Sequence, residues 1–228
     1  MKQKVVMKNV IYLILVSLMV FTSCKKDAIN PISPSEDALT VTYSGKVYHT
    51  VKIGKQTWLK ENLNVGVMID SLQNPRNNGT VEKYCYRNDT ANCTKYGGLY
   101  QWNEAMAYDT VNGARGICPT GWHIPTKAEF DSLLLEVHYN SNSIKAVGQG
   151  TGSGAGTDSS GFSALLAGYR LSFGRIDYLG RDAGFLSSTE RDAASPYYMD
   201  LWSTDSGIGI GYGYKDFGYS IRCLKDEW

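Results

Sequence analysis

A cysteine and a histidine lie five residues apart in CPTGWHIPTKAEF, residues 118–130. A free Cys118 thiol with the His123 imidazole as its base would form a nucleophilic pair, because a neighbouring base increases the thiolate fraction. That chemistry requires a reduced and accessible thiol. The competing interpretation is that Cys118 forms a disulfide and that the residues after it begin a helix. The number of other cysteines and the redox state of the protein's compartment decide between these two interpretations.

The first 23 residues have the pattern of an export signal. Lys2, Lys4 and Lys8 precede an apolar run of 12 residues at positions 10–21, which is shorter than the ~20 residues that cross a bilayer. Small residues and Cys24 follow. This arrangement is typical of a bacterial lipoprotein, in which the Cys24 thiol is the lipid attachment site and carries a diacylglycerol. An ordinary signal peptide with an incidental cysteine is the alternative.

Three segments follow from this pattern. Residues 1–23 are predicted to be a lipoprotein signal peptide, residues 24–40 a flexible tether with two prolines and no apolar period, and residues 41–228 one domain. Without the leader, 20 basic and 22 acidic residues remain, so we expect no nucleic-acid partner. The expected membrane attachment is the N-terminal lipid, at the cell outer membrane, surface-exposed or periplasmic.

The cysteine count supports export. If Cys24 is acylated, an even number of cysteines remains for an oxidising compartment: Cys85, Cys93, Cys118 and Cys223. Three connectivities are open. The short polar loop CYRNDTANC favours Cys85–Cys93, which leaves Cys118–Cys223 to close a loop of ~100 residues, worth about 4–5 kcal/mol. With Cys118 bonded, the nucleophilic interpretation loses its thiol.

Several elements can be predicted from local patterns. Residues 41–63 indicate short strands separated by Gly45-Lys46 and Gly54-Lys55. Thr126 and Glu129 have the spacing of a capping box, which predicts a helix over 127–138. A second short helix is expected around residues 102–106, and short strands separated by turns after residue 161.

Two stretches are predicted to be irregular. Residues 64–97 are expected to be loop-rich. The sequence GQGTGSGAGTDSSG, residues 148–161, is expected to be a mobile surface loop that is too rich in glycine to pack.

Six segments, taken in order, resemble a known family. They are VKIGKQTWLKENLN, YGGLYQWNEAM, GICPTGWHIPTKAEFDSLL, GFSALLAGYR, LSSTE and YSIRCLKD. Their order and content resemble the Fibrobacter succinogenes major paralogous (FISUMP) domain over about residues 43–226. The resemblance implies a secreted or lipid-anchored bacterial protein, in a family whose biochemical role is largely unassigned.

The segments HIPTKAEF and IRCLKD also resemble parts of formylglycine-generating enzymes. That resemblance implies an α+β, C-type-lectin-like architecture with short twisted antiparallel sheets, two short helices and much loop. The residue pattern alone indicates only α+β with many loops. Formylglycine-generating enzymes use a late pair of cysteines, whereas no cysteine lies between Cys118 and Cys223 here. We therefore expect no such activity.

The expected function is recognition of a glycan or a protein ligand without catalysis, through the loops around 148–161 and 203–216. The candidate ligand-binding residues are Trp202, Tyr212, Tyr214 and Asp158. The alternatives are a core role for these aromatic residues, an enzyme with an unrecognised hydrolase or transferase site, and a structural component of an envelope assembly. Trp202, like Trp58, Trp102 and Trp122, lies in an apolar context that predicts burial.

No metal site and no cofactor are predicted. His49, His123 and His138 share no metal-ligand spacing. Calcium stays open, with Asp158 and Glu190 as candidate ligands, although no Asp-x-Asp series of the EF-hand type is present.

Overall fold

A computed structural model describes residues 40–227. The predicted signal peptide, the lipid attachment site Cys24 and residues 24–39 of the predicted tether lie outside the described residues. The described strands are β1 (Thr40–Tyr43), β2 (Lys46–Ile53), β3 (Gln56–Leu59), β4 (Val67–Met68), β5 (Glu82–Lys83), β6 (Leu99–Tyr100), β7 (Trp122–His123), β8 (Tyr169–Arg170), β9 (Ile176–Asp177), β10 (Asp182–Asp192), β11 (Ser195–Trp202), β12 (Ile208–Tyr212), β13 (Tyr219–Ser220) and β14 (Leu224–Lys225). The α-helices are α1 (Thr90–Tyr96), α2 (Trp102–Ala105) and α3 (Lys127–Glu136).

The strands form two five-stranded sheets. The first sheet has the order β1-β2-β3-β14-β7, and the second has the order β12-β11-β10-β13-β6. Within them every pairing is antiparallel except that of β10 with β13. The pairs β4–β5 and β8–β9 stand apart as two-stranded sheets. The α+β class is therefore as predicted, with three short α-helices in residues 40–227 instead of two.

The first three strands form where the sequence predicts them. Gly45 and Gly54 occupy the two turns with φ of 74° and 58°, a left-handed conformation that costs glycine little. Tyr48 and Thr50 of β2 are buried while Val47 is exposed. The alternation of β2 therefore places its aromatic residue, and not its first valine, against the core.

Helix α3 begins at the predicted capping box. The Glu129 backbone N–H donates to Thr126 Oγ1 at 3.2 Å, and the Thr126 N–H donates to Glu129 Oε2 at 2.7 Å. Both groups would otherwise lack a helical partner. Phe130 and Leu133 are buried, and the Phe130 ring stacks on Trp58 with centroids 5.6 Å apart. The helix ends at Glu136, two residues before the predicted end.

The prediction of a loop-rich stretch over 64–97 is wrong at its C-terminal end, where α1 forms. Asp89 caps this helix by accepting the Ala91 N–H at 2.9 Å, and Gly97 follows its last residue with φ of 84°. Cys93 lies inside the helix and bonds to Cys85. The disulfide thus attaches a short helix to the chain before it.

The prediction that residues 148–161 do not pack is also wrong. Gly154 is buried, and a Cβ at this position would lie 2.4 Å from the Ser203 carbonyl oxygen. The Thr151 N–H donates to the same oxygen at 2.7 Å. Because glycine has no side chain, the loop packs its backbone directly against residues 203–205.

The two predicted disulfides, Cys85–Cys93 and Cys118–Cys223, are confirmed. The second joins positions 105 residues apart and ends in the segment between β13 and β14. Since β13 belongs to the second sheet and β14 to the first, this bond fastens the point at which the chain passes between the sheets.

Removing the long-range disulfide should destabilise the domain more than removing the local one. In the loop-entropy description, closing a loop of 105 residues contributes about 5 kcal/mol and closing one of 8 residues about 2.5 kcal/mol. We expect the double variant C118A/C223A to lower the guanidinium unfolding midpoint further than C85A/C93A does. An equal or larger loss in C85A/C93A would contradict this ranking.

Candidate functional site

The second sheet has two chemically different faces. Side chains alternate between the faces of a strand, and Phe185, Met199 and Leu201 all join the hydrophobic cluster that includes α3. The opposite face carries Gly184, Tyr198, Asp200, Trp202, Gly209 and Gly211. We call it the glycine face. It holds the polar and aromatic groups of the second sheet that ligand chemistry would use.

Glycines let aromatic rings lie close to this face. A Cβ at Gly184 would come within 2.5 Å of the Tyr219 ring, and one at Gly211 within 3.1 Å of the Tyr198 ring. The Tyr198 and Tyr219 rings stack with centroids 4.6 Å apart. Tyr169 contacts Tyr219 at 5.8 Å and extends the layer. The glycines are thus required for an aromatic layer pressed onto the sheet.

Beyond the rings, the glycine face opens into a groove of about 320 Å³. Trp202, whose surface is 44% exposed, Asp200 and Asp205 contribute its side chains. Gly209 lies opposite Asp200 in the strand register, and a Cβ there would meet no atom within 4 Å. We call this depression the Trp202 groove. It combines an aromatic surface with two carboxyl groups above a floor of glycine backbone.

The buried ammonium group of Lys145 fixes the backbone at the edge of the Trp202 groove. The Lys145 ammonium is fully buried and donates to the carbonyl oxygens of Trp202 and Asp205, each at 2.8 Å. Ser153 Oγ also donates to the Thr204 carbonyl at 3.0 Å. The two loops that the sequence analysis selected for recognition, 148–161 and 203–216, therefore adjoin at residues 203–205. Their contact fixes the backbone on which Trp202 is displayed.

Two carboxyl groups of the glycine face, those of Asp182 and Asp200, interact beside the groove. Asp182 is 1% exposed and Asp200 is half-buried, and Oδ1 of each accepts no hydrogen bond from another described residue. Burial raises the pKa of Asp182 far above its usual range, and the hydrogen bond to Asp200 and its charge raise it further. Burial also raises the pKa of Asp200. We therefore expect the pair to keep one shared proton at neutral pH.

This proton makes stability depend on pH with a defined sign. The folded state holds a proton on Asp182 that the unfolded chain releases above pH ~4, so stability falls as the pH rises toward the raised pKa of Asp182. Asp182→Asn keeps a hydrogen-bond donor without the ionisation. We expect it to be near neutral at pH 4 and to stabilise by about 1–3 kcal/mol at pH 8.

Thermal unfolding at the two pH values measures this difference, with Asp109→Asn, an exposed aspartate outside the groove, as the control. A stabilisation by Asp182→Asn that is the same at pH 4 and pH 8 would rule out the shared proton.

The structure separates the four predicted ligand-binding residues. Trp202 lies on the glycine face and is exposed, so its predicted burial is wrong. Tyr212 projects from the opposite face, 57% exposed, with the Arg191 guanidinium 3.6 Å from its ring centroid. Tyr214 is exposed and touches Phe217, which borders the aromatic layer. The alternative in which the two tyrosines belong to the core is therefore wrong with respect to their burial.

Asp158 lies apart from the aromatic candidates, in the glycine-rich loop. Its carboxylate accepts from the Ser163 N–H at 2.7 Å and from Ser163 Oγ at 2.6 Å. Glu190, the other calcium candidate, pairs with the Lys215 ammonium. In residues 40–227 no group of three or more His, Cys, Asp and Glu side chains is placed to hold a metal ion. Calcium binding stays an untested possibility of the sequence.

Cys118 and His123 do not form a nucleophilic site. Cys118 is disulfide-bonded. His123 Nδ1 lies 2.7 Å from Asp226 Oδ1, and its Nε2 lies 3.0 Å from Glu129 Oε1. Both ring nitrogens are therefore occupied as donors to carboxylates, which leaves none to accept a proton from a substrate.

His123 does line a cleft of about 680 Å³ with Glu129 and Asp226. Burial disfavours the charged imidazole, but hydrogen bonds to Glu129 and Asp226 outweigh this and raise the pKa of His123 above 6.5. Burial likewise opposes the ionisation of Glu129, but the bonds from His123 and Thr126 lower its pKa below 4.5. The three groups form a charged contact between α3 and the end of the chain.

The charged contact should stabilise the protein in a limited pH window. The contribution of His123 to the free energy of unfolding is complete below pH ~6.5 and is lost as the pH rises through the raised pKa of His123. The contribution of Glu129 is complete above pH ~4.5 and is lost as the pH falls through the lowered pKa of Glu129. We expect His123→Ala to cost about 1–2 kcal/mol at pH 5.5 and less at pH 9.

Urea unfolding at the two pH values tests this window. The matched control is His49→Ala, because His49 pairs with Glu61 at the surface and such pairs contribute ~0–1 kcal/mol. A His123→Ala cost that does not change between pH 5.5 and pH 9 would contradict the charged contact.

The acidic and glycine components of the Trp202 groove were not predicted from the sequence. Asp200 stands two residues before Trp202 in YYMDLW, and Gly209 and Gly211 alternate with isoleucine in GIGIGYG. Glycine inside a strand often marks a close approach of another group, so the alternation was a usable signal. The partner Asp182 had none, because its role depends on the register of β10 with β11.

The fold and the site define a small disulfide-linked α+β domain, built mainly from antiparallel strands, with an aromatic groove on one sheet. The Fibrobacter succinogenes major domain matches residues 51–225, which is more than half of the chain. The chain belongs to this family, as the sequence resemblance indicated. No curated protein and no solved structure gives a significant match. Among the described residues no helix has the length and apolar character needed to cross a membrane.

Proposed function

We propose that this domain is a non-catalytic recognition module that binds a glycan in the Trp202 groove. The observation that carries the proposal is the combination on one sheet face of an exposed indole, two carboxyl groups and a glycine floor. Sugar rings present C–H groups that pack on aromatic surfaces and hydroxyls that donate to carboxylates. A protein ligand, the other class expected from the sequence, finds less support in so small and polar a depression.

The setting of the module belongs to the proposal too. The apolar run before Cys24 and the polar stretch after it support a lipid-anchored cell-envelope protein, tethered through a lipid on Cys24 at the outer membrane.

The C-type-lectin-like and formylglycine-enzyme-like classification also remains a proposal. Its support is the resemblance of two segments together with the mixture of short sheets and short helices. No cofactor and no nucleic acid enter the proposed function.

A matched pair of aromatic variants tests the Trp202 groove. Trp202 and Tyr212 are both exposed and project from opposite faces of the second sheet. On an array of bacterial and host oligosaccharides, we expect the full-length protein to bind a defined subset. Trp202→Ala should weaken that binding at least about tenfold, the equivalent of ~1.4 kcal/mol, whereas Tyr212→Ala should leave it within about twofold.

Two outcomes of this experiment would contradict glycan recognition. One is the absence of binding to any oligosaccharide while a protein ligand is captured. The other is equal binding by wild type and Trp202→Ala, with circular dichroism showing both to be folded.

One observation favours a second function, a hydrolase. Two carboxyl groups that share a proton resemble the acid and base pair of many hydrolases, and Asp200 borders the Trp202 groove. However, glycoside hydrolysis requires both carboxyls to reach the scissile bond, and Asp182, which lies opposite Trp202 in the register, is 1% exposed and does not line the groove. Turnover of a bound oligosaccharide that is abolished in Asp200→Asn would favour the hydrolase over recognition.

A further inference from the structure

A second depression, on another part of the domain, has a different chemistry. It has a volume of about 370 Å³ and lies between the start of β2, the end of β3 and the C-terminal end of α1. Its lining carries Lys46, Lys60 and Lys95 together with Arg222. We call it the lysine cleft. None of these four side chains forms an ion pair with a described residue.

Arg222 is a buried cation without a direct counter-ion. It is 1% exposed, and its guanidinium donates to neutral acceptors, Asn62 Oδ1 and the carbonyl oxygens of Leu59 and Phe162. These four hydrogen bonds use four of its five N–H groups, leaving one Nη2 N–H without an acceptor among residues 40–227. A buried charge in this state is costly, and an anion in the cleft would reduce that cost.

The wall of the cleft adds further positive charge. The buried Lys83 ammonium donates to Asn64 Oδ1 at 2.6 Å, and Asn64 lines the cleft. Arg222 remains charged at neutral pH, although burial lowers its pKa to about 9.

Two carboxylates, those of Glu61 and Asp158, act on the charge of Arg222. Glu61 also lines the cleft, but its two oxygens contact the N–H and Nδ1 of His49 at 2.8 and 2.7 Å. The Asp158 charge acts on Arg222 from outside the lining, and its carboxylate is bonded to Ser163. Four cations against one carboxylate leave the lining strongly positive.

We propose that the lysine cleft binds a phosphate or sulfate ester group. A phosphate monoester carries close to two negative charges at neutral pH, which matches a cluster of lysine point charges better than a single carboxylate does. A sulfate ester carries one charge, and like the phosphate it offers several oxygens to guanidinium N–H groups. The volume holds the anion and part of the molecule that carries it. This site does not depend on the Trp202 groove, so each can fail without the other.

The test is a titration of the full-length protein with inorganic phosphate and with sulfate at low salt, followed by NMR. We expect saturable shifts confined to amides around the cleft, such as those of Thr94 and Ser163. The triple variant K46Q/K60Q/K95Q should weaken binding at least about tenfold, and added sodium chloride should do the same. Lys55→Gln, an exposed lysine outside the cleft, should leave the affinity unchanged.

Vesicles of phosphatidylcholine with and without phosphatidylglycerol distinguish the source of the anion. Binding that needs phosphatidylglycerol and is lost in the triple variant would assign the same cleft to a lipid phosphate. The proposal is overturned if neither soluble anion nor the anionic vesicles bind. It is also overturned if the triple variant, shown to be folded by its amide spectrum, binds as tightly as Lys55→Gln.

Discussion

The passage of the C-terminal segment through both sheets is the constraint on which the rest of the domain depends. Tyr219 and Ser220 pair with β10 and β6 in the second sheet, and Leu224 pairs with β3 and β7 in the first. Residues 218–224 are all buried. A segment that belongs to two sheets couples their stability, because its release would unpair both at once.

Three kinds of interaction hold that segment. Its backbone accepts from Leu59 and Leu63 through the carbonyl oxygens of Cys223 and Ile221, at 3.1 and 2.9 Å. The disulfide at Cys223 fixes it to residue 118, and Arg222 donates into three surrounding acceptors. The same residues reach both surface depressions, since Tyr219 supports the Tyr198 ring beside the Trp202 groove and Arg222 lines the lysine cleft. The element that couples the two sheets thus also borders both depressions.

Local signals in the sequence predicted the parts of this fold that depend on local interactions. The capping box at Thr126 and Glu129 specifies the start of α3, since both of its hydrogen bonds join residues three apart. Gly45 and Gly54 specify turns by their own conformational freedom. The cysteine spacing and the export pattern together gave the two disulfides. Helix α1 was missed although Asp89 and Gly97 flank it as caps, because the cysteine spacing was interpreted as a closed loop.

The surface depressions could not be predicted in the same way because they depend on register and long-range packing. Asp182 and Asp200 meet only because β10 and β11 pair as they do. Trp202 and Tyr212 are each the last residue of a strand, and only the strand alternation places them on opposite faces. Lys46, Lys95 and Arg222 come from three distant parts of the chain. Nothing in the segment around any one of them indicates the other two.

Native-state hydrogen exchange of the full-length protein tests the central role of the C-terminal segment most directly. If the segment couples the two sheets, the amides of Leu59 and Leu63, which bond to residues 221–223 in the first sheet, and the amide of Tyr100, which pairs with Tyr219 in the second, should exchange only through global unfolding and with one common free energy of opening. The edge strand β1 should open at lower free energy. Exchange of the Leu59 and Tyr100 amides with clearly different opening free energies, each below that of global unfolding, would show that the sheets open independently and would contradict the account.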